Sequence, residues 1–190
     1  IATDSGIFVY DETADKFSLW SRKNSSLKSD IIQCVYCDSN GTVWVGGESG
    51  LYRYNPATED FIQTKTDPKT VPEDGNIHIA TIAEGTGEHL WIGTWANGLA
   101  KLDMNNNVLS WIRPESSLPE AKKMRVRNIL AETSETLWIC TDIGLFRYEI
   151  MKNRMSQVIL SALQTNDNIY DTWSEIGRCF HTVYREYCGR

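Results

Sequence analysis

The sequence predicts an all-β fold built of repeated four-stranded sheets. Three observations support this prediction: a long internal repeat, short apolar runs separated by turn residues, and no 3.6-residue period of the kind that amphipathic helices show. Trp44, Trp91 and Trp138 mark the repeat, because each lies 47 residues from the next. A period of this length, made of short runs, indicates a repeat array rather than one or two ordinary domains.

One period contains four short runs. Residues 31–37 are β-branched and aromatic, and residues 42–46, 51–54 and 61–64 follow, each after a turn rich in Gly, Asn, Asp, Ser or Pro. These residue types favour turns because of their backbone geometry and local hydrogen bonding. Four short strands joined by tight turns predict one antiparallel meander per period.

A sheet with two apolar faces buries both of them only by stacking against similar sheets. Repeats of roughly 40–50 residues with four strands each are typical of β-propeller blades. The sequence therefore predicts a β-propeller fragment of four-stranded antiparallel blades. The predicted parts are a partial blade of three strands at 1–21, blades at 22–65, 66–112 and 113–159, the start of a further blade at 160–171, and an atypical tail at 172–190.

The tail does not continue the repeat. A Trp-Ile-Gly-Thr-like strand is expected near position 180, where the chain reads Arg178-Cys179-Phe180-His181-Thr182. We interpret residues 172–190 as a frameshifted or truncated end. The chain also begins within a repeat, so we expect it to be a fragment of a longer protein.

Charge and composition narrow the function classes. The formal net charge is −6, and acidic and basic residues are interspersed along the chain. This disfavours nucleic-acid binding, which needs a basic stripe. No run of 18 apolar residues occurs, so no membrane contact is expected within this chain.

No catalytic, metal or cofactor motif emerges from the sequence. Cys34 and Cys37 have the spacing of half a zinc site, but no second ligand pair follows, and in a strand their side chains point to opposite faces. His78, His89 and His181 accompany no nucleophile elbow, and the chain has no phosphate-binding loop. We therefore expect neither a bound metal nor a cofactor.

The strand-turn-strand unit resembles the two-component regulator propeller repeat, which occurs in the periplasmic sensor region of hybrid two-component histidine kinases, notably in Bacteroidetes. The positions that carry the resemblance are Asp38, Gly41, Trp44, Gly46, Gly50, Leu51 and Tyr54, then Trp91, Gly93, Thr94, Gly98 and Leu99, then Trp138, Thr141, Gly144, Leu145 and Tyr148. Glu88 and Glu135 replace Gly41 in later copies, and Cys140 replaces the glycine of the second strand.

The resemblance implies a seven-bladed wheel, of which this chain would supply four to five blades. It also implies a periplasmic location, a homodimeric parent protein, and signalling to a histidine kinase elsewhere in that protein. On this basis we expect a non-catalytic segment that senses a small molecule, by the resemblance an oligosaccharide, and that packs against the remaining blades.

Two other functions stay open from the sequence. One is a propeller enzyme that acts on polysaccharide, either a lyase or a glycosidase, which would need a general base or two facing carboxylates. The other is a structural scaffold that sets dimer geometry. The fold alone does not decide between these functions.

Turns between the second and third strands share one face of a propeller with the loops between blades. On this face we expect a ligand site formed by Glu48, Trp95, Asn97, Arg113, Arg125 and Asp142. Trp95 is the only aromatic residue in these turns, and its turn is one residue longer than its counterparts. Sugars stack on aromatic rings and bond to surrounding polar groups. The alternative is that Trp95 packs on a neighbouring loop.

Overall fold

The computed structural model describes residues 1–85, 89–116, 121 and 123–158, which contain strands and turns but no α-helix. This part of the chain therefore has no helix that could cross a membrane. The predicted start of a further blade at 160–171 and the tail at 172–190 lie outside the described residues.

The strands follow one another in four antiparallel meanders. The first sheet contains β1 (Ala2–Thr3), β2 (Gly6–Asp11) and β3 (Lys16–Trp20), and the second contains β4 (Ile32–Cys37), β5 (Val43–Gly47), β6 (Gly50–Asn55) and β7 (Asp60–Gln63). The third contains the short β8 (Lys65–Thr66) followed by β9 (Ile79–Glu84), β10 (His89–Thr94), β11 (Leu99–Asp103) and β12 (Val108–Trp111). The fourth contains the short β13 (Glu115–Ser116) followed by β14 (Val126–Ala131), β15 (Thr136–Thr141), β16 (Gly144–Glu149) and β17 (Arg154–Gln157).

The predicted fold class is confirmed. Each of the later three sheets has four consecutive antiparallel strands, and the first has three. The first strands of adjacent sheets contact each other, β4 with β9 and β9 with β14, while β1 contacts β4. The sheets are therefore arranged as consecutive blades around the side on which these first strands lie.

Two short strands were not predicted. β8 and β13 lie where the sequence indicated the end of a blade and a loop, and each pairs in parallel with the outermost strand of the next sheet. Lys65 donates its backbone N–H to Asn107 over 3.1 Å, and Glu115 donates to Asn153 over 2.8 Å. The segments that follow the second and third blades therefore pair with the outermost strand of the next blade.

Glycines in the second strands bring neighbouring blades close together. A Cβ on Gly46 would lie 2.5 Å from the side chain of Ile79, and one on Gly93 would lie 2.6 Å from that of Val126. Ile79 begins β9 and Val126 begins β14, so each glycine makes room for the first strand of the following blade. This close approach explains why the repeat carries glycine directly after the Trp-aliphatic pair.

The repeated tryptophans occupy equivalent places in β5, β10 and β15, as predicted. Trp44 and Trp91 are 2% and 1% exposed, and they pack into clusters with apolar side chains of the next sheet. Trp91 meets Tyr148 edge-on, with 6.0 Å between ring centroids. Trp138 is half-buried, and its indole Nε1 has no partner among the described residues.

Candidate functional site

The candidate site lies where each second-to-third strand turn meets the residue that precedes the first strand of the same blade. Glu48 donates its backbone N–H to Ile31 over 3.1 Å, and Trp95 donates to His78 over 2.9 Å. Asp142 donates to Arg125 over 3.1 Å. The three pairs recur 47 residues apart, so they occupy the same place in successive blades.

Side chains from these pairs also interact across the seams between blades. Arg125 of the fourth blade places its guanidinium carbon 3.1 Å from the ring centroid of Trp95 in the third. His78 of the third blade lies close enough to Glu48 of the second for that carboxylate to raise the pKa of the imidazole. We call Glu48, His78, Trp95, Arg125 and Asp142 the rim cluster.

Trp95 is the centre of the rim cluster. The His78 imidazole stacks on its ring at 4.9 Å between centroids, with an angle of 8° between the planes. The Arg125 guanidinium contacts the same indole, in a cation–π geometry. Trp95 therefore packs on neighbouring loop residues, which was the alternative to ligand contact in the sequence analysis. The two residues that it contacts, His78 and Arg125, are polar.

Two nitrogens of the cluster are buried and have no hydrogen-bond partner in the part of the chain that the structure describes. These are Nε2 of His78 and Nε of Arg125. Desolvation is the main cause that lowers the pKa of His78, and the nearby Arg125 charge lowers it further. Desolvation also lowers the pKa of Arg125, with Arg127 adding to the effect and Asp142 opposing it. The imidazole is therefore neutral at pH 7, while the guanidinium stays charged.

The two carboxylates of the cluster are exposed, and each has a defined contact. Asp142 accepts a hydrogen bond from the backbone N–H of Arg125 through Oδ1, over 2.9 Å. Glu48 accepts one from the hydroxyl of Ser29 through Oε2, over 2.7 Å. Each carboxylate retains acceptor capacity, since an ionised carboxylate offers about four lone-pair sites.

Asn97 and Arg113 form hydrogen bonds with residues outside the rim cluster, whereas the sequence grouped all six candidates together. Asn97 is buried, and its amide donates to Asp74 over 3.3 Å and to the carbonyl of Asn76 over 3.2 Å. Arg113 is exposed and donates to the carbonyl of Thr70 over 3.2 Å. Both residues line a groove of about 600 Å³ formed mainly by residues 68–74.

His78 is the rim residue that sequence reasoning missed. The sequence analysis considered it only as a catalytic residue and set it aside because no nucleophile elbow accompanies it. Its spacing was the available signal, because it precedes Arg125 by 47 residues and Arg125 was already a candidate. Residues at equal places in a repeat share one face, so the two side chains should have been considered together.

No group of three potential metal ligands occurs in the part of the chain that the structure describes. Cys34 packs behind Gly46, and burial raises the pKa of its thiol to about 12. Cys37 is exposed. The two thiols therefore sit in different environments at the same strand, β4.

Residues 26–49 match the sequence model of the two-component regulator propeller family. This segment contains β4, β5 and the turn between them, so the family resemblance is confirmed over this repeat. No curated protein matches the chain.

Solved structures with this fold include extracellular domains of bacterial signalling proteins. The extracellular domain of BT4673 from B. thetaiotaomicron, ascribed to a hybrid two-component system, has 18% identity, a TM-score of 0.71, and coverage of 88% of this chain and 22% of that one. The corresponding domain of BT3049 has 18% identity, a TM-score of 0.66, and coverage of 84% and 23%.

PorZ, a surface component of the type-IX secretion system of Porphyromonas gingivalis, has 16% identity, a TM-score of 0.60, and coverage of 88% and 26%. The chain therefore spans about a quarter of the length of these structures. At these identities the likeness shows the fold that the proteins share.

Proposed function

We propose that this chain is part of a non-catalytic sensing propeller in the extracytoplasmic, periplasmic region of a two-component sensor. The match of residues 26–49 to the two-component regulator propeller family supports this class of protein. The extracellular domains of BT4673 and BT3049, ascribed to such systems, have the same fold. The remaining blades of the parent propeller would complete the wheel, and a homodimeric parent would pass the signal to a histidine kinase.

The rim cluster is the observation that carries the proposed ligand site. Two adjacent blades meet there on the indole of Trp95, and Nε2 of His78 and Nε of Arg125 are buried without hydrogen-bond partners among the described residues. Buried polar groups in folded proteins nearly always have hydrogen-bond partners. A bound molecule with oxygen acceptors would supply the missing partners of His78 and Arg125.

The chemistry of the cluster suits an oligosaccharide. The cluster contains an aromatic ring, a guanidinium and two carboxylates, and hydroxyl groups can donate to the carboxylates and accept from the guanidinium. A molecule that bridges Trp95 and Arg125 would also couple the third blade to the fourth. Binding would then change the packing of adjacent blades rather than break a bond in the ligand.

The test is calorimetric titration of the purified protein with a panel of oligosaccharides. We expect micromolar to millimolar binding of at least one of them, and a loss of about tenfold or more in Trp95→Ala, since an aromatic contact contributes up to about 1.5 kcal/mol beyond its buried area. Phe17→Ala is the matched control, because Phe17 is a 60% exposed aromatic residue of the first sheet.

Three results would contradict parts of the proposal. Equal affinity of wild type and Trp95→Ala, with the fold intact by circular dichroism, would remove the rim cluster from the site. Turnover of any glycan would favour the lyase or glycosidase alternative. Absence of binding across the panel would favour the structural scaffold.

A further inference from the structure

We infer that the rim cluster recognises a carboxylate group on its ligand, with Arg125 as the residue that binds it. This inference rests on the proposed sensing function and narrows the ligand class. It comes from the arrangement of charge and unsatisfied donors around Trp95, and it would hold for a sugar acid or for a carboxylic acid that is not a sugar.

Arg125 is held in an orientation that presents its donors to a ligand. Its guanidinium carbon lies 3.1 Å from the ring centroid of the Trp95 indole, at cation–π distance. A stacked guanidinium uses its face for the ring and keeps its N–H groups in the plane for an acceptor. A carboxylate is the acceptor whose two oxygens fit this planar fork in a bidentate manner.

The charge of Arg125 is not neutralised by an ion pair within the described part of the chain. No carboxylate there lies within 4.0 Å of its guanidinium nitrogens. The nearest acidic residue on its own blade, Asp142, uses Oδ1 to accept from the backbone N–H of Arg125. A partly buried guanidinium without a paired carboxylate favours an anionic ligand over a neutral one, because the ligand then supplies the missing charge.

His78 adds a second donor beside the first. Its Nε2 is buried with no hydrogen-bond partner among the residues described, and its ring stacks on the same indole that Arg125 contacts. In the Nε2-protonated tautomer the imidazole donates a hydrogen bond without a second positive charge. His78 therefore offers an acidic ligand a further donor on the same indole that Arg125 contacts.

The acidic members of the cluster limit the charge of the ligand. Glu48 and Asp142 are exposed on the same rim, and Glu48 lies close enough to raise the pKa of His78. These carboxylates repel a doubly charged anion such as phosphate more than a singly charged one. They can instead accept hydrogen bonds from hydroxyl groups, so the favoured ligand combines one carboxylate with neighbouring hydroxyls.

The experiment compares D-glucuronate, D-glucose and lactate by two-dimensional NMR titration of the purified protein, following the indole N–H of Trp95. We expect D-glucuronate to bind at least tenfold more tightly than D-glucose. The two sugars differ only at C6, where D-glucuronate has a carboxylate and D-glucose has a hydroxymethyl group. Lactate distinguishes a sugar acid from a carboxylic acid that is not a sugar. If lactate binds more tightly than D-glucose, the carboxylate suffices for recognition. If lactate binds more weakly than D-glucose, the sugar ring is also needed.

Arg125→Met should remove the preference for D-glucuronate by about 10–100-fold, as expected for loss of a charge-assisted hydrogen bond. Arg125→Lys should restore only part of it, because lysine cannot stack or form the fork. Arg113→Met is the matched control, since Arg113 lies on the separate groove and is exposed. Melting curves of each variant check that the fold is retained.

Two outcomes would overturn the inference without touching the proposed function. One is equal binding of D-glucose and D-glucuronate that Trp95→Ala weakens. The other is a preference for D-glucuronate that Arg113→Met abolishes and Arg125→Met preserves. Failure of every oligosaccharide and acid to bind would instead count against the sensing function itself.

Discussion

The seam between the second and third blades and the seam between the third and fourth have the same backbone geometry but different chemistry. At the end of β9 farthest from the rim, Glu84 accepts hydrogen bonds from Ser39 through its backbone N–H and its hydroxyl, and from the hydroxyl of Tyr36 over 3.2 Å. The equivalent place 47 residues later is Ala131, which has no polar side chain.

A similar contrast holds beside the repeated tryptophans. Asp38 accepts the indole N–H of Trp44 over 2.9 Å, and it also accepts the backbone N–H groups of Asn40 and Thr42. The equivalent residue of the third blade is Gly85. Both seams therefore share apolar packing around a buried tryptophan, and the seam from the second blade to the third adds the directional polar contacts of Glu84. Asp38 holds Trp44 from within its own blade.

The largest expected effect follows from the apolar packing. Trp91→Ala should lower the free energy of unfolding by about 3–5 kcal/mol, because Trp91 is 1% exposed and fills the core between the third and fourth blades. Chemical denaturation of both proteins would measure the difference. Phe17→Ala should change the same quantity by no more than about 0.5 kcal/mol, since Phe17 is 60% exposed. Equal losses in both variants would show that Trp91 is not a seam residue.

The second prediction tests the polar side of the comparison. Asp38→Ala should lower the free energy of unfolding by about 2–3 kcal/mol, because it leaves the buried indole N–H of Trp44 without its acceptor. The companion variant is Trp44→Phe, which removes the indole N–H and keeps an aromatic ring at this position.

 In the double variant Asp38→Ala with Trp44→Phe, both partners are absent, so the loss should be smaller than the sum of the two single losses. Additive losses, measured by the same denaturation experiments, would show that this hydrogen bond does not couple the two side chains.

The sequence was sufficient for the fold because the 47-residue spacing of Trp44, Trp91 and Trp138 fixes the repeat, and the turn residues fix its strands. The glycines before Leu51, Leu99 and Leu145 recur because the turns there need positive φ, which Gly50, Gly98 and Gly144 have at 114°, 69° and 125°. β8 and β13 could not be predicted, because a two-residue parallel strand carries no periodicity.

The shared face of the candidate site residues was predictable, but the contacts between their side chains were not. Turn and loop residues of one face could be named from the repeat, and this brought Trp95, Arg125, Asp142 and Glu48 together as candidates. The stacking of Arg125 on Trp95 depends on side-chain conformations across a seam, which sequence spacing does not specify. The same limit explains why Asn97, with its amide turned toward residues 74–76, was grouped with them.

The third prediction concerns Glu84 and has a smaller effect. Glu84→Ala should lower the free energy of unfolding by about 1 kcal/mol at pH 7, since the carboxylate is largely open to solvent and its bonds are screened. This variant places at the seam between the second and third blades the residue type that Ala131 provides at the seam between the third and fourth. Glu12→Ala, at an exposed carboxylate of the first sheet, is the control.

The effect of Glu84 should depend on pH in a defined direction. Hydrogen bonds from the Ser39 side chain are the main cause that lowers the pKa of this carboxyl in the folded protein. A lowered folded pKa gives stability that is present above the unfolded pKa and lost as the pH falls through the folded pKa. The difference between wild type and Glu84→Ala should therefore shrink from pH 7 toward acid. A difference that grows over this range would contradict the assigned contact.

The smallest expected effect is a shift in the pKa of His78, which responds to charges on both sides of the third blade at the rim. Arg125 lowers this pKa from the fourth blade, and Glu48 raises it from the second. Arg125→Met should therefore raise the pKa of His78, and Glu48→Gln should lower it, as measured by NMR titration of the imidazole protons. His89 is the internal reference, because its pKa responds to desolvation, Lys101 and Asp103 instead. Shifts of the same sign in both variants would show that His78 does not lie between the two charges, and the rim cluster would then have to be assigned to one seam alone.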